Sequence, residues 1–396
     1  MTSDQRFLLL LILVGALATV LGLVSKRARV LPYPVVLAAA GVGVGLLPGG
    51  QLPRVGGTVI LLAFVPGLIF EAALTLDLDE LWRRALPIGL LATVGVALTV
   101  LLIGLLSHLI IGFSWASGML LGAILATTDP IAVVSLLRRL KAPAGLAAIL
   151  EGESLFNDGT GVAVFSAVLA TILGGAPSFG DATVRFLEIT LAGAAVGVAV
   201  GFLGLALLRF AEDAPLEILA TLVIAYGSYL AADLLHASGI VAVLVAGIVV
   251  ARYGARIGRL HGPQLIGFWN LLAFVLNAML FILVGAALPA WALLPVAWLI
   301  LAAFAIMLLV RAIPVYGLLA LSEIRSPPIP WRWRHLTFWA GLRGALSVAL
   351  ALSVAGVTGV DSRVSLVAYG VVLLSLLVQG ALTASVMRGL RIETAP

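Results

Sequence analysis

The chain has no cysteine. That excludes a disulfide framework, thiol redox chemistry and any cysteine metal site. Histidine is nearly as scarce, with four in 396 residues. The H-E-x-x-H of a zinc protease is missing, and so is the G-x-G-D of an intramembrane aspartyl protease. Charge is thin as well. Asp, Glu, Lys and Arg together make 10% of the chain, against 62% hydrophobic residues and a mean hydropathy of +1.22. A soluble globular domain carries about 25% charged residues. What remains is an all-α polytopic membrane protein in a single transmembrane domain. The formal charge of +5 is no nucleic-acid footprint, because the basic residues sit in short loops, where membrane topology is written.

About thirteen apolar segments are long enough to cross roughly 30 Å of hydrocarbon. They fall near 6–24, 34–50, 57–76, 86–111, 115–137, 144–174, 185–208, 216–235, 238–251, 264–288, 291–319, 336–356 and 364–388. The first is read as a span, not a cleaved leader, since no A-x-A-like site ends it. With the N-terminus outside, seventeen Lys and Arg fall on inside loops and four outside. The expectation is therefore an odd helix count with the C-terminus in the cytoplasm. Two basic residues, Arg311 and Arg343, lie within apolar segments and need buried partners.

The stretch from Ala126 to Gly161 organises the chain. It reads A-T-T-D-P-I-A-V-V, then R-R-L-K, then E-G-E-S-L-F-N-D-G-T-G. It places carboxylates in two spans where hydrocarbon should be. A charge at membrane depth costs about 3 kcal/mol or more, so function is the default reading. Glu153 and Asn157 are four apart, as are Ser154 and Asp158, so each pair shares a helix face. Asp129 precedes Pro130, which removes a backbone donor and frees carbonyls of the preceding turn, such as those of Ala126 or Thr127. Carboxylates, a hydroxyl and freed carbonyls suit a small hard cation. Glu71, near the inner end of the third span, reads either as an interfacial carboxylate or as a residue at the mouth of an ion path. Asn277 reads as a partner in an interhelical hydrogen bond.

The fifth span is broken by T-T-D-P. The twelfth is loosened by G-L-R-G, where Gly341 and Gly344 bracket Arg343. Arg343 is expected to satisfy carbonyls freed at those glycines. Five and twelve differ by an odd number, so two six-helix repeats would have inverted topology. Interrupted helices in matching positions of inverted halves point to a transporter with its site at the midplane. A channel would instead ring a pore with carbonyls or acids.

These residues carry a resemblance. A-T-T-D-P-I-A-V-V, G-E-S-L-F-N-D-G-T-G, R-A-I-P-V-Y and G-L-R-G-A-L-S-V-A-L-A-L resemble the monovalent cation:proton antiporters, in the sodium–proton exchanger branch of the NhaP/NHE kind. F-E-A-A-L at Glu71, A-S-G-I-V-A-V-L-V-A-G and F-I-L-V-G-A-A-L are similar to it too, in order along nearly the whole chain. The resemblance implies that Asp158 is the ion- and proton-binding aspartate and Asp129 the carboxylate of the unwound fifth helix. It implies Ser154 and the Thr128 carbonyl as further sodium ligands, and Glu71 as a carboxylate reaching the ion through water. Asn157 matches the residue that replaces an aspartate in electrogenic relatives. Glu153 matches a glutamate paired with a basic residue of the eleventh span, here Arg311, with Arg343 the second candidate. It also implies a homodimer, with a moving core (about 86–174 and 291–388) and a dimer scaffold (about 6–76 and 185–288). No cofactor is expected beyond the transported cation and proton. The chain departs from the long-tailed members in ending at E-T-A-P, so regulation through a cytoplasmic tail is not expected.

The expected function is antiport of sodium, or lithium or potassium, for protons. A cation favours an ionised carboxylate and a proton a neutral one, so the two compete for Asp158 and Asp129. Two carboxylate charges, cancelled by one cation plus one proton or by two protons, would give one-for-one electroneutral exchange. The alternative is a sodium-coupled symporter of an organic solute with a related fold. Short loops and the lack of sorting signals suggest a prokaryotic plasma (inner) membrane. The expected protein is a transporter, not an enzyme.

Overall fold

The computed structural model describes residues 15–22, 33–46, 61–129, 133, 134, 137, 142–174, 179–254, 262–287 and 290–392. Pro130, singled out above, lies outside the described residues. Among the described residues every regular element is helical. Among the described residues seven helices are long and apolar enough to cross a membrane, and four shorter apolar helices accompany them.

In chain order, the helices used below are α1 (Tyr33–Gly45), α2 (Val65–Thr75), α3 (Ala85–Ile111), α4 (Trp115–Ala126), α5 (Ala144–Gly174), α6 (Phe179–Leu208), α7 (Ala214–Leu234), α8 (Gly239–Gly254), α9 (Pro263–Ala286), α10 (Ala297–Ser322), α11 (Trp331–Trp339), α12 (Ala345–Ser353) and α13 (Arg363–Gly389). A helical segment at 15–22 precedes them. The expected fifth span is thus interrupted after α4. The expected twelfth is split into α11 and α12 around non-helical residues 341–344. α11 starts at Trp331, earlier than the apolar pattern indicated. Its first turns, W-R-W-R-H, are too polar to read as part of a span, and Arg334 there pairs with Glu323 at 2.6 Å.

Local chemistry accounts for the ends of α4. Ser114 caps its N-terminus, its side chain accepting from the Ser117 N–H at 3.2 Å. The helix stops at Ala126 because Thr127 is extended (φ −68°, ψ 138°), and the residue before Pro130 is biased away from helix. The small residues of this helix are packing sites. A Cβ at Gly118 would lie 2.7 Å from the Gly104 carbonyl, and one at Gly122 would lie 2.6 Å from that of Val100. α3 and α4 therefore touch backbone to backbone, as small-residue interfaces allow in a membrane.

Packing falls into two neighbourhoods. α4 packs on α3 and α5, α10 on α3, and α13 on α10 and α12. α6, α7 and α8 pack on one another, α8 also on α2, and α9 on α1. α5 touches both groups, through α4 on one side and α6 and α8 on the other. The two interrupted helices lie in the first neighbourhood and meet where both chains leave the helical path.

Candidate functional site: two interrupted helices and the carboxylates between them

A helix break at membrane depth frees backbone groups that water cannot reach, so each must find a partner inside the protein. At the first break the partners come from α5. Asn157 clamps Thr128 twice: its Oδ1 accepts from the Thr128 N–H at 3.3 Å, and its Nδ2 donates to Thr128 Oγ1 at 2.7 Å. Ser154 Oγ donates to the Thr128 carbonyl. Thr127, Thr128, Ser154 and Asn157 are all buried. The structure thus brings Ser154, Asn157 and Thr128 together on one side of the break.

Asp158 follows Asn157 on α5. Its Oδ1 is sealed from solvent and takes no hydrogen bond from the described residues. Asp129 lies close enough to repel it. Two half-buried carboxylates therefore stand beside a buried hydroxyl and a main-chain carbonyl. Among the described residues no group of three His, Cys, Asp or Glu is placed to hold a metal ion. The donor set is two acids plus neutral oxygens, which suits a weakly charged hard cation better than a tightly held divalent one. Glu71 stands half-buried on α2, which touches α5. It makes no hydrogen bond to Asp158 Oδ1.

The second break supplies the opposite charge. Arg343 is 1% exposed. Its guanidinium donates to the Ala126 carbonyl at 3.2 Å and the Thr127 carbonyl at 3.1 Å. This corrects two expectations. Arg343 satisfies carbonyls freed in the other broken helix, not those at its own glycines. The Ala126 and Thr127 carbonyls, read above as cation ligands, are occupied by that arginine. Thr128 alone of the three presents its carbonyl toward Ser154. The reason is electrostatic: the freed carbonyls at the C-terminal end of α4 carry negative partial charge, and a buried cation is stable there. Leu342 completes the crossing, its carbonyl accepting from the Asp129 N–H at 2.8 Å. A hydroxyl pair, Thr127 Oγ1 with Ser347 Oγ at 2.7 Å, ties the two helices once more.

The bracketing glycines are required for space. Gly344 has extended backbone (φ −115°, ψ −161°), and a Cβ there would run into the Asp129 side chain. A Cβ at Gly341 would lie 2.6 Å from Arg311 Nε. Neither sits in the left-handed region. Gly344 also opens α12, so Asp129 lies against a helix N-terminus, whose partial positive charge favours an anion.

Arg311 and Glu153 form a separate buried ion pair at 2.5 Å, with side-chain exposures of 8% and 3%. Arg311 also donates to the Thr337 carbonyl at 3.2 Å. A small cavity beside the pair is lined by Thr99, Glu153, Asn157, Arg311 and Pro314. Asn277 does not behave as expected: its Oδ1 is buried without a hydrogen-bond partner among the described residues.

Three residues of this assembly carry no charge, and sequence reasoning passed over them. Ser347 is one. The others are Ser375 and Gln379 on α13, which hold the second break: Ser375 Oγ accepts from the Arg343 N–H at 3.1 Å, and Gln379 Nε2 donates to the Trp339 carbonyl at 3.3 Å. A signal existed. Both lie in the apolar run L-L-S-L-L-V-Q-G, four apart, the same spacing that drew attention to Ser154 and Asp158.

A multi-pass helical protein in which two interrupted helices cross between buried acids is built as a membrane transporter. The chain belongs to the sodium/hydrogen exchanger family, whose transmembrane model matches residues 12–389. It is similar to the Na(+)/H(+) antiporter ApNhaP of Aphanothece halophytica, 36% identical over 393 residues, covering 98% of this chain and 74% of that one. It is similar to the Na(+)/H(+) antiporter NhaP of Pseudomonas aeruginosa, 36% identical over 337 residues, covering 81% and 78%. A solved structure of the sodium proton antiporter MjNhaP1 from Methanocaldococcus jannaschii matches with a TM-score of 0.79 at 20% identity, covering 97% of this chain and 99% of that chain. At that identity the match speaks for the fold.

Proposed function

We propose that this chain is a secondary antiporter exchanging a small alkali cation, sodium first, for protons across a membrane. The observation that carries the reading is Asp158 Oδ1, sealed from solvent and without a hydrogen bond from the described residues, beside Asp129, Ser154 and the Thr128 carbonyl. A carboxylate in that setting needs a counter-charge, and either a proton or a cation supplies it. Only one can do so at a time. Competition for Asp158 and Asp129 therefore couples the two fluxes, provided the loaded site crosses between the two faces and the empty, charged one does not. Ser154 and Thr128 are the neutral ligands, Asn157 holds Thr128 in place, and Glu71 lies on the approach. One cation and one proton, or two protons, cancel the two carboxylates, which makes the exchange one for one and electroneutral. Glu153 and Arg311 neutralise each other and stand outside the exchange. The relatives, named as Na(+)/H(+) antiporters, support this reading and give none to an organic-solute symporter.

The two packing neighbourhoods support a moving core near 86–174 and 291–388 against a scaffold near 6–76 and 185–288, the latter carrying a homodimer contact. The loop charges support an N-terminus outside and a C-terminus in the cytoplasm of a prokaryotic plasma membrane.

Proteoliposomes holding wild type or Asp158→Asn test the reading. An inside-acid gradient is imposed, sodium, lithium, potassium or choline is added, and dissipation is followed with a pH-sensitive dye. Wild type should dissipate the gradient with a small alkali cation and Asp158→Asn should not. The wild-type rate should be unchanged when potassium and valinomycin clamp the voltage. Full-rate exchange by Asp158→Asn would sink the site assignment, and a voltage-dependent rate would sink the stoichiometry.

A further inference from the structure

The break between α11 and α12 spans residues that are all buried, 340 to 344. Four backbone groups in and beside it find side-chain or main-chain partners. The Thr337 carbonyl takes Arg311, and the Leu342 carbonyl takes the Asp129 N–H. The other two are taken by one pair of residues on α13. Arg343 N–H donates to Ser375 Oγ at 3.1 Å. Ser375 in turn donates to Gln379 Oε1 at 2.6 Å, which leaves the Gln379 amide N–H free to donate to the Trp339 carbonyl at 3.3 Å. The relay runs one way, donor to acceptor, from the last residue of one side of the break to the helix end on the other. The Trp339 indole N–H returns a bond to the Gln379 carbonyl at 3.1 Å, and Thr383 adds one at 2.7 Å.

The helix carrying the pair is locally rewound. Residues Ser375–Gly380 form a π turn, a wider coil that recurs at functional sites. Ser375 and Gln379 are 0% and 1% exposed. Neither touches Asp129 or Asp158. They act on what does. Leu342 and Arg343 are the two points where the second break grips the first, through the Asp129 N–H and through the carbonyls of Ala126 and Thr127. Arg343 is hydrogen-bonded to Ser375 itself, and Trp339, three residues upstream of Leu342, to Gln379.

We infer that Ser375 and Gln379 are positioning residues that set the cation affinity of the Asp129–Asp158 site by holding segment 340–344 in register with residues 126–129. The inference rests on the reading of that site as the cation site. The pair stands to the second break as Ser154 and Asn157 stand to the first: two polar side chains on the long helix that follows, three or four residues apart, taking up freed backbone groups. It differs in carrying no acid, so it holds geometry without binding cargo.

The test uses the full chain in proteoliposomes, with exchange rate measured against sodium concentration for wild type, Asp158→Asn, Ser375→Ala, Gln379→Leu and Ser375→Thr. Loss of one or two hydrogen bonds in the relay, at about 1 kcal/mol each, should raise the sodium KM of Ser375→Ala and Gln379→Leu about five- to thirtyfold. Turnover at saturating sodium should change far less than KM. Ser375→Thr, which keeps the hydroxyl, should restore the wild-type KM. Gln379→Leu removes more than Ser375→Ala, so if it fails to elute as a monodisperse species, Ser375→Ala and its threonine counterpart decide. A wild-type KM in folded Ser375→Ala, or a fall in turnover at constant KM, overturns the inference while leaving the antiporter reading intact. No sodium response in wild type overturns both.

Discussion

The two interrupted helices are alike in architecture and opposite in chemistry. Each is broken at membrane depth, and each break is held by the long helix that follows it, α5 for the first and α13 for the second. The first break carries acids and leaves Asp158 Oδ1 without a hydrogen bond from the described residues. The second carries Arg343, whose main-chain N–H, Nε and guanidinium each have a partner, Nε meeting Met307 Sδ at 3.1 Å. A buried polar group that is fully satisfied rigidifies its surroundings, and one that is not is available to a ligand. On the proposed reading, the contrast puts cargo at the first break and shape at the second. It also explains how two broken helices coexist in hydrocarbon: each lends the other charge, Arg343 to the α4 carbonyls and the α12 N-terminus to Asp129.

The sharpest way to break that contrast is to neutralise the first break. Asp129→Asn keeps the shape and removes half the counter-charge demand, so sodium-driven proton movement should fall to the background of empty liposomes. Retention of electroneutral exchange by this variant would mean that one carboxylate suffices. Next in size is the buried pair outside both breaks. Arg311→Met leaves Glu153 buried and uncompensated, an expected loss of about 3–5 kcal/mol, read as a drop in the temperature at which detergent-solubilised protein aggregates. The double variant Arg311→Met with Glu153→Gln should recover much of that loss. A single variant as stable as wild type would argue that the pair carries no structural load.

Gly344→Ala tests whether the breaks must touch. Its Cβ would collide with Asp129, and overpacking of this kind costs about 1–3 kcal/mol. The protein should fold and exchange poorly, with a raised sodium KM. Unchanged kinetics would show that the second break can retreat without consequence. The smallest effect lies outside the membrane. The hydrogen bond from Arg334, with help from the Ile329 N–H, holds the Glu323 carboxyl below the usual carboxylate range. A depressed carboxylate stabilises the fold above its unfolded pKa, about 4.3, and that contribution disappears as pH falls through the folded value. Glu323→Gln should therefore flatten a shallow decline in melting temperature below about pH 4.3 and change nothing of the shape above it. An identical acid limb in both proteins would remove the ion pair from the account of how α11 is anchored.

Much of this site was legible before any coordinates. Asp129, Ser154, Asn157 and Asp158 stand out because charge and polarity are rare in this chain, and i, i+4 spacing on a helix puts them on shared faces. The breaks were legible from T-T-D-P and G-L-R-G. Three features were not. The partner of Arg343 could not be read, because a guanidinium seeks any freed carbonyl and the sequence does not say which break will present one. The reason for Gly341 and Gly344 could not be read either. Glycine signals both flexible backbone and close approach, and only the positions of Arg311 and Asp129 distinguish them. Ser375 and Gln379 were hidden by their neutrality, since an uncharged polar residue in an apolar helix is common enough to pass.

Composition, the apolar runs and a few local motifs determined that the chain is a helical, many-spanning membrane protein with two broken spans and acids at depth. The hydrophobic period and the cost of burying charge are properties of local sequence, and nothing distant can cancel them. Which acid meets which cation, which carbonyls stay available and which are taken up was decided by the tertiary structure. Those are contacts between residues far apart in the chain: Arg311 and Glu153 are 158 positions apart, Arg343 and Ala126 217, and Thr127 and Ser347 220, and no local pattern encodes a distance across the fold.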